Sequence, residues 1–444
     1  MVVEIGNYLV KEVPNIAVKI LDAPMGAGKT SAMINFMNAA PQGKHFIFAT
    51  PYLDEGKRIQ SACPTLDFQT PEAHIDEELE GKPNGKPRSK LIDFKEFLRA
   101  KKNIVTTHAL FERFDAETAQ LIVAGDYTLV IDEVINMVGK YEIAPKDART
   151  IVNVFTDQDE RGKLTWKELD RDYYGDYIRH KERCDNDTLW NYNDSVLLEV
   201  IPPHAFQAFE DAYVMTYMFD AQLHKAYFDL FGIEYEYVYV EGDSPDTYNI
   251  TDQPREYTLP NLKNLIHICR DKKLNSIGEI GQRTQSLLSI SWYDKEENKA
   301  LVAAMKNNVT NYFRHHMKAS VDKTMWTVFK ERHEYGKSDA NRDPYFTPRG
   351  YANSMLSCNA RATNAWKDRT VLAYPINRFM VPEIKNFFHR QGIYIDVDRW
   401  ALSEMVQWIW RSAIRDGKEI WIYIPSIRMR KLLEGWIEDM STGS

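Results

Sequence analysis

The stretch Ala23-Pro24-Met25-Gly26-Ala27-Gly28-Lys29-Thr30 constrains this chain more than any other. It follows a short apolar run, Ile16–Leu21, and opens a helical pattern from Lys29 to about Asn38. A strand feeding a glycine turn and then a helix is the setting in which such a loop binds phosphate. Gly26 and Gly28 let the backbone curl so that successive N–H groups face phosphate oxygens. The helix N-terminus adds partial positive charge. Lys29 is expected to reach the β and γ phosphates, and the Thr30 hydroxyl to ligate magnesium. The candidate nucleotide-binding set is Ala23, Pro24, Met25, Gly26, Ala27, Gly28, Lys29, Thr30 and Ser31. Ala23 stands where the strict phosphate-loop pattern has Gly, so only the relaxed pattern fits.

A loop of this kind works with an acid at the end of a later strand. Leu129-Val130-Ile131-Asp132-Glu133, an apolar run ending in two carboxylates, supplies it. Asp132 is expected to hold magnesium and Glu133 to orient or deprotonate the attacking water. Alone, an Asp-Glu pair after a strand is equally well explained as a helix N-cap. Beside the phosphate loop it points to hydrolysis. No Asn-Lys-x-Asp base-reading motif is present, which favours ATP over GTP.

Around these motifs, apolar runs alternate with helical patterns, as parallel α/β units do. Further strands are expected at His45–Ala49, Asn103–Thr107, Tyr127–Ile131, Ala212–Thr216 and Tyr235–Val240, then at Thr324–Phe329, Arg369–Tyr374 and Ile420–Ile424. Helical patterns fall at Leu53–Ser61, His108–Arg113, Ala116–Val123 and Gln222–Phe231. Residues 157–200 are charged and rich in Asp, Asn and Tyr, and read as an insertion. Composition and punctuation change over 241–260, so the expected domains are 1–245 and 246–444. With 44% hydrophobic and 27% charged residues, large-scale disorder, collagen and coiled coil are excluded. No run approaches the roughly 20 apolar residues of a membrane helix, and the start of the chain lacks a signal-peptide layout. The expectation is a cytoplasmic protein with no membrane partner.

The net charge of -8 conceals an asymmetry. Residues 1–260 carry 27 Lys/Arg against 44 Asp/Glu; residues 261–444 carry 29 against 20. Such a split points to a polyanionic partner on one side, or simply to two solvated faces of unequal composition.

The phosphate loop and the acidic strand end resemble the first two motifs of superfamily 2 helicases of the DEAD/DEAH type. The likeness is greatest to helicases encoded by tailed bacteriophages. Phe48-Ala49-Thr50-Pro51-Tyr52 and Val105-Thr106-Thr107-His108 resemble that family's backbone-contacting motifs. Val214-Met215-Thr216-Tyr217-Met218-Phe219 sits where the family has Ser-Ala-Thr, the motif coupling hydrolysis to strand movement, and Thr216 is the matching position. Asn359-Ala360-Arg361-Ala362-Thr363-Asn364 resembles the fifth motif, and Glu404–Arg415 the sixth. The second arginine there follows the first by four residues, where the family has three. The resemblance implies two RecA-like P-loop domains with parallel sheets, plus an insertion in the first, with ATP and Mg2+ bound in a cleft. It implies single-stranded or duplex nucleic acid as partner, DNA favoured, with replication proteins beyond it. Implied strand contacts are Thr50, Pro51, Thr106, Thr107, His108 and Arg361.

Gln407, Arg411 and Arg415 fall at i, i+4 and i+8, the spacing of one helix face. A guanidinium row of that kind suits the charge that develops in phosphoryl transfer. The resulting expectation is an ATP-dependent helicase or translocase in phage replication or recombination. The alternatives are a double-strand motor that never separates strands, and a nucleotide-switched loader.

Other signals are weaker. Asp157–Glu168 nearly matches a calcium-binding loop, but Arg161 stands where an oxygen ligand belongs. His315-His316, and His180 with Cys184, lack completing metal ligands at a suitable spacing. Cys63, Cys184, Cys269 and Cys358 are widely separated and read as reduced thiols.

Overall fold

The computed structural model describes residues 2–5, 8–11, 17–73, 89–167, 172–259, 261–279, 286–329, 346–359 and 365–442. The chain divides into two compact units, Met1–Arg255 with Val381–Ile395, and Glu256–Met380 with Asp396–Ser444.

The first unit is built on a seven-stranded sheet. Its strands are β1 (Val18–Asp22), β2 (His45–Thr50), β3 (Ile104–Thr107), β4 (Tyr127–Asp132), β5 (Asp211–Thr216), β6 (Tyr235–Glu241) and β7 (Asn249–Thr251). The order is β7-β6-β1-β5-β4-β2-β3, and every pairing except β6 with β7 is parallel. Parallel strands are covered on both faces and so read as apolar runs rather than alternations. Tyr127-Thr-Leu-Val-Ile131 and Phe46-Ile-Phe-Ala-Thr50 are buried throughout. On one face α1 (Lys29–Asn38) and α2 (Leu53–Ala62) close over a cluster that includes Met33, Met37, Phe48, Ile59, Val105 and Val130. The expected division after residue 245 falls short of β7, whose pairing with β6 holds it in the first unit.

An inserted body follows β4. It starts earlier than the expected 157–200, because Val138–Lys140 already pairs antiparallel with Leu197–Val200. Its small core gathers Ile151, Leu164, Trp166, Cys184, Leu189 and Leu197. The near-calcium segment folds instead as a hairpin of Thr156–Gln158 and Leu164–Trp166, and the Asp159 carboxylate is spent on the amides of Arg161 and Lys163 at 3.0 and 2.8 Å. The twelfth residue of that near-match, Glu168, lies outside the described residues. Burial pushes the Cys184 thiol up to about 12, so it stays protonated. All four cysteines are free.

A helix from far along the chain, α3 (Pro382–Arg390), belongs to this unit. The Arg390 guanidinium lies 4.4 Å over the Tyr192 ring and donates to the Tyr192 carbonyl at 2.7 Å. Phe387 meets Trp190 edge-on at 5.7 Å.

The second unit carries a four-stranded sheet of β8 (Ile266–Ile268), β9 (Thr324–Trp326), β10 (Val371–Ala373) and β11 (Ile420–Tyr423), all parallel in the order β8-β11-β10-β9. Trp326 and Trp408 fill its core, and each indole N–H finds a carbonyl, Tyr351 at 2.7 Å and Leu356 at 3.1 Å. A buried indole needs such a partner. The expected α/β class with parallel sheets is what both units show. Among the described residues no helix is long and apolar enough to cross a membrane.

His204, ahead of β5, carries a prediction about acid stability. Its ring is buried, Nε2 has no hydrogen-bond partner among the described residues, and desolvation holds its pKa down to about 4. Between about pH 6.5 and 4 the unfolded chain takes up a proton that the folded chain refuses, so stability falls as pH falls. The contribution is at most about 3 kcal/mol. In His204→Gln the slope of stability over this window should flatten relative to wild type, as read from urea unfolding at several pH values. Identical slopes would remove His204 from the account.

Candidate nucleotide-binding and hydrolytic site

β1 delivers the chain to the loop, and its local bonds explain the loop's shape. Ala23 is buried and its amide donates to Thr216 on β5 at 3.2 Å. The Ala27 amide turns back to the Pro24 carbonyl at 3.2 Å, closing a tight turn. Gly26 and Gly28 hold φ of +87° and +86°, the left-handed region that favours glycine. Gly28 is the N-cap of α1, whose first turn holds Lys29, Thr30 and Ser31, all half-buried. Met25 and Ala27 are half-buried and Gly26 is exposed. The Lys29 ammonium lies across its own loop, donating to the carbonyls of Ala23 and Pro24.

The two glycines differ in what surrounds them. A Cβ on Gly26 would meet open space, whereas one on Gly28 would lie 2.6 Å from the Tyr248 ring. Tyr248 is held there by Asn35 on α1, which donates to the Tyr248 and Pro245 carbonyls, both at 2.9 Å. Gly26→Ala should therefore cost about 1 kcal/mol of backbone strain. Gly28→Ala adds a clash and should lose nucleotide binding at least tenfold more than Gly26→Ala. Titration with a fluorescent ATP analogue compares them directly, and equal losses would contradict the geometry.

The acidic pair stands two strands away. Asp22 on β1 is level with Thr216 on β5, and Met215 on β5 is level with Asp132 on β4. At the usual strand spacing the two strand ends lie about 10 Å apart. Asp132 and Glu133 are half-buried. Glu133 adopts φ +63°, uncommon for a residue with a side chain, and its amide donates to the Met215 carbonyl at 3.0 Å. Such strain clusters at functional sites. A threonine hydroxyl and a carboxylate are hard oxygen donors that suit magnesium, so Thr30 and Asp132 fit that ion chemically.

Asp22 carries no sequence motif, yet it is central to this geometry. One carboxylate oxygen accepts from the Met218 amide at 2.8 Å and the other from Phe219 at 2.9 Å. Burial pushes its carboxyl above the usual range, against the pull of the Phe219 amide, the Lys29 charge and the Met218 amide. The turn it holds has Met218 at φ +58°. Thr216 donates to Gln222 at 2.8 Å, and Gln222 donates in turn to the Tyr217 carbonyl at 2.7 Å. An acid ending an apolar run was the available signal for Asp22. Gln222 and Tyr248 had none.

The expected strand contacts are placed unevenly. Thr50 and Thr106 are buried, and their hydroxyls have no hydrogen-bond partner among the described residues. His108 is buried too, its Nε2 at 3.0 Å from the Asp132 carbonyl, so it braces the acidic strand end. Pro51 and Thr107 are half-buried, and Thr107 caps the following turn by accepting from Leu110 at 3.3 Å. Arg361 lies outside the described residues.

The arginine row is a correction. The helix α4 (Val397–Ile409) carries Gln407, half-buried, but ends before both arginines. Ser412 leaves helical geometry for extended backbone, and the Ala413 amide is drawn to Arg369 at 2.9 Å. Arg411 is buried, while Arg415 is exposed on a short 3-10 turn. The three side chains share no helix face.

The class the fold defines is α/β with parallel sheets, and a glycine loop curled left-handed ahead of a helix at the end of such a sheet has the geometry of a candidate phosphate loop. A family model, the YonV C-terminal Rossmann-like domain, matches residues 260–437. The chain belongs to the YonV family: the SPbeta prophage-derived protein YonV of Bacillus subtilis (strain 168) is 38% identical over 429 residues, spanning 95% of this chain and 99% of that protein. Among solved structures, an XPD helicase aligns with a TM-score of 0.42 at 11% identity, covering 94% of each chain. The Xpd4 protein of S. tokodaii aligns with a TM-score of 0.40 at 15% identity, covering 96% of this chain and 95% of that one.

Proposed function

We propose that this chain is an ATP-dependent nucleic-acid motor, a helicase or translocase acting on DNA in phage replication or recombination. The observation that carries the reading is the loop itself, with two left-handed glycines at the start of α1 and Lys29 folded over it. The prophage origin of the YonV relative supports the phage setting.

In this reading the loop amides and Lys29 hold the phosphates, and Thr30 and Asp132 hold magnesium. The ion would neutralise charge on the β and γ phosphates. Glu133 orients the attacking water and takes its proton. His108 fixes the Asp132 carbonyl from behind. Pro51 and Thr107 are the strand contacts retained for the first unit, and Arg361 for the second. Gln407, Arg411 and Arg415 remain proposed contributors to hydrolysis. Contacts of the backbone kind hold phosphate and sugar without reading sequence.

The test is ATP hydrolysis by the purified chain alone, with single strands and with duplex. Strong stimulation by single strands supports the motor and calls for an unwinding assay. Stimulation by duplex alone would replace it with a double-strand translocase. No response to either would overturn the nucleic-acid reading.

A further inference from the structure

Between the phosphate loop and the acidic strand end stands β5, and its exit turn is tied to the loop through one side chain. The Asp22 carboxylate is shared between the amides of Met218 and Phe219, at 2.8 and 2.9 Å. Hydrogen bonds to an ionised acceptor are about twice as strong as neutral ones. Asp22 is also the residue immediately before the loop, and the Ala23 amide bonds to Thr216. Loop and turn are therefore clamped from both sides of the same step in the chain. The turn's far side is closed by Gln222, which joins the Thr216 hydroxyl to the Tyr217 carbonyl. On β5 itself, one residue before Thr216, the Met215 carbonyl accepts from the amide of Glu133, which follows the neighbouring strand β4. A chain of bonds thus runs from the loop through Asp22 and the turn of β5 to Glu133.

We infer that Asp22 is a positioning residue that couples phosphate occupancy of the loop to the 216–219 turn and, through Met215, to the Glu133 backbone. The inference rests on the ATP-hydrolysing reading given above. The physical link is Lys29. Its charge acts on Asp22 while the ammonium lies on the loop carbonyls. When the ammonium turns to phosphate oxygens, that charge is neutralised and the carboxylate's hold on the two amides changes. Both Asp22 oxygens are taken by backbone amides, so the carboxylate holds the turn rather than the phosphates. Its effect therefore falls on turnover.

The direct test is Asp22→Asn, which keeps shape and one acceptor but replaces the other by a donor. The expected result is a fall in kcat for ATP hydrolysis of about tenfold or more, with KM for ATP within about threefold of wild type. A merely structural role would move KM and the unfolding temperature together with kcat. Wild-type kcat in Asp22→Asn, with Lys29→Ala inactive alongside, overturns this inference and leaves the proposed function standing. A wild-type chain that neither binds nor hydrolyses ATP overturns both. Should Asp22→Asn fail to fold, amide exchange in the wild-type protein decides. A non-hydrolysable ATP analogue should change protection at Met218 and Phe219 by about tenfold or more, beyond any change averaged over β6. Protection there that ignores the analogue overturns the coupling.

Discussion

Replacing Lys29 by alanine should lower turnover in the proposed ATP hydrolysis about a thousandfold or more, while thermal unfolding should move little. A thousandfold is about 4 kcal/mol of transition-state stabilisation. That is the size expected when a cation facing transferring phosphates is lost from a preorganised loop. Stability should be spared because Lys29 is only half-buried and donates to the loop's own carbonyls at Ala23 and Pro24. Losing such contacts costs about 1 kcal/mol or less. Steady-state hydrolysis and a thermal melt on the same preparation measure both. Turnover retained in Lys29→Ala would end the phosphate-loop assignment.

Glu133→Gln should have the next largest effect. The amide cannot accept a proton from water, so kcat should fall about a hundredfold to ten-thousandfold. Nucleotide affinity should be kept, because the loop and its lysine are untouched. The backbone adds a second arm. Glu133 stands at φ +63°, a conformation that costs a residue with a side chain about 1–2 kcal/mol. Glu133→Gly should therefore abolish turnover and raise stability by about 1 kcal/mol, the trade-off expected of strain kept for function. Urea unfolding of the two variants separates the effects. A Glu133→Gln enzyme with normal turnover would move the general base elsewhere.

Much of the first unit was legible because local chemistry dictates it. Lys29–Asn38 forms the helix the pattern predicts, and the parallel strands announce themselves as apolar runs. What was not legible depends on partners distant in sequence. Asp22 gains its meaning only when register sets β1 beside β5. Val138–Lys140 is three residues with no periodicity, and only its pairing with Leu197–Val200 makes it a strand. Tyr248 reaches Gly28 from near the end of the unit's first segment. The arginine row failed for a different reason. Helical spacing describes a face only while the helix lasts; this one ends at Ile409, before either arginine, and extended backbone at Ser412 then separates the two. Thr50 and Thr106 show the limit of motif position, since strand-end residues can point into the sheet as readily as out of it.

The docking of α3 has a consequence for inheritance. The chain passes between its units at 255/256, again at 380/381 and again at 395/396. The first unit is thus written in two separated places in the gene. A crossover near residue 255 that paired one relative's front half with another's back half would give Tyr192 and Trp190 a stranger's helix. Arg390 and Phe387 must descend together with the surface they cover. Members of this family are therefore expected to vary as whole chains, with the helix at 382–390 tracking the insertion rather than its own neighbours in sequence.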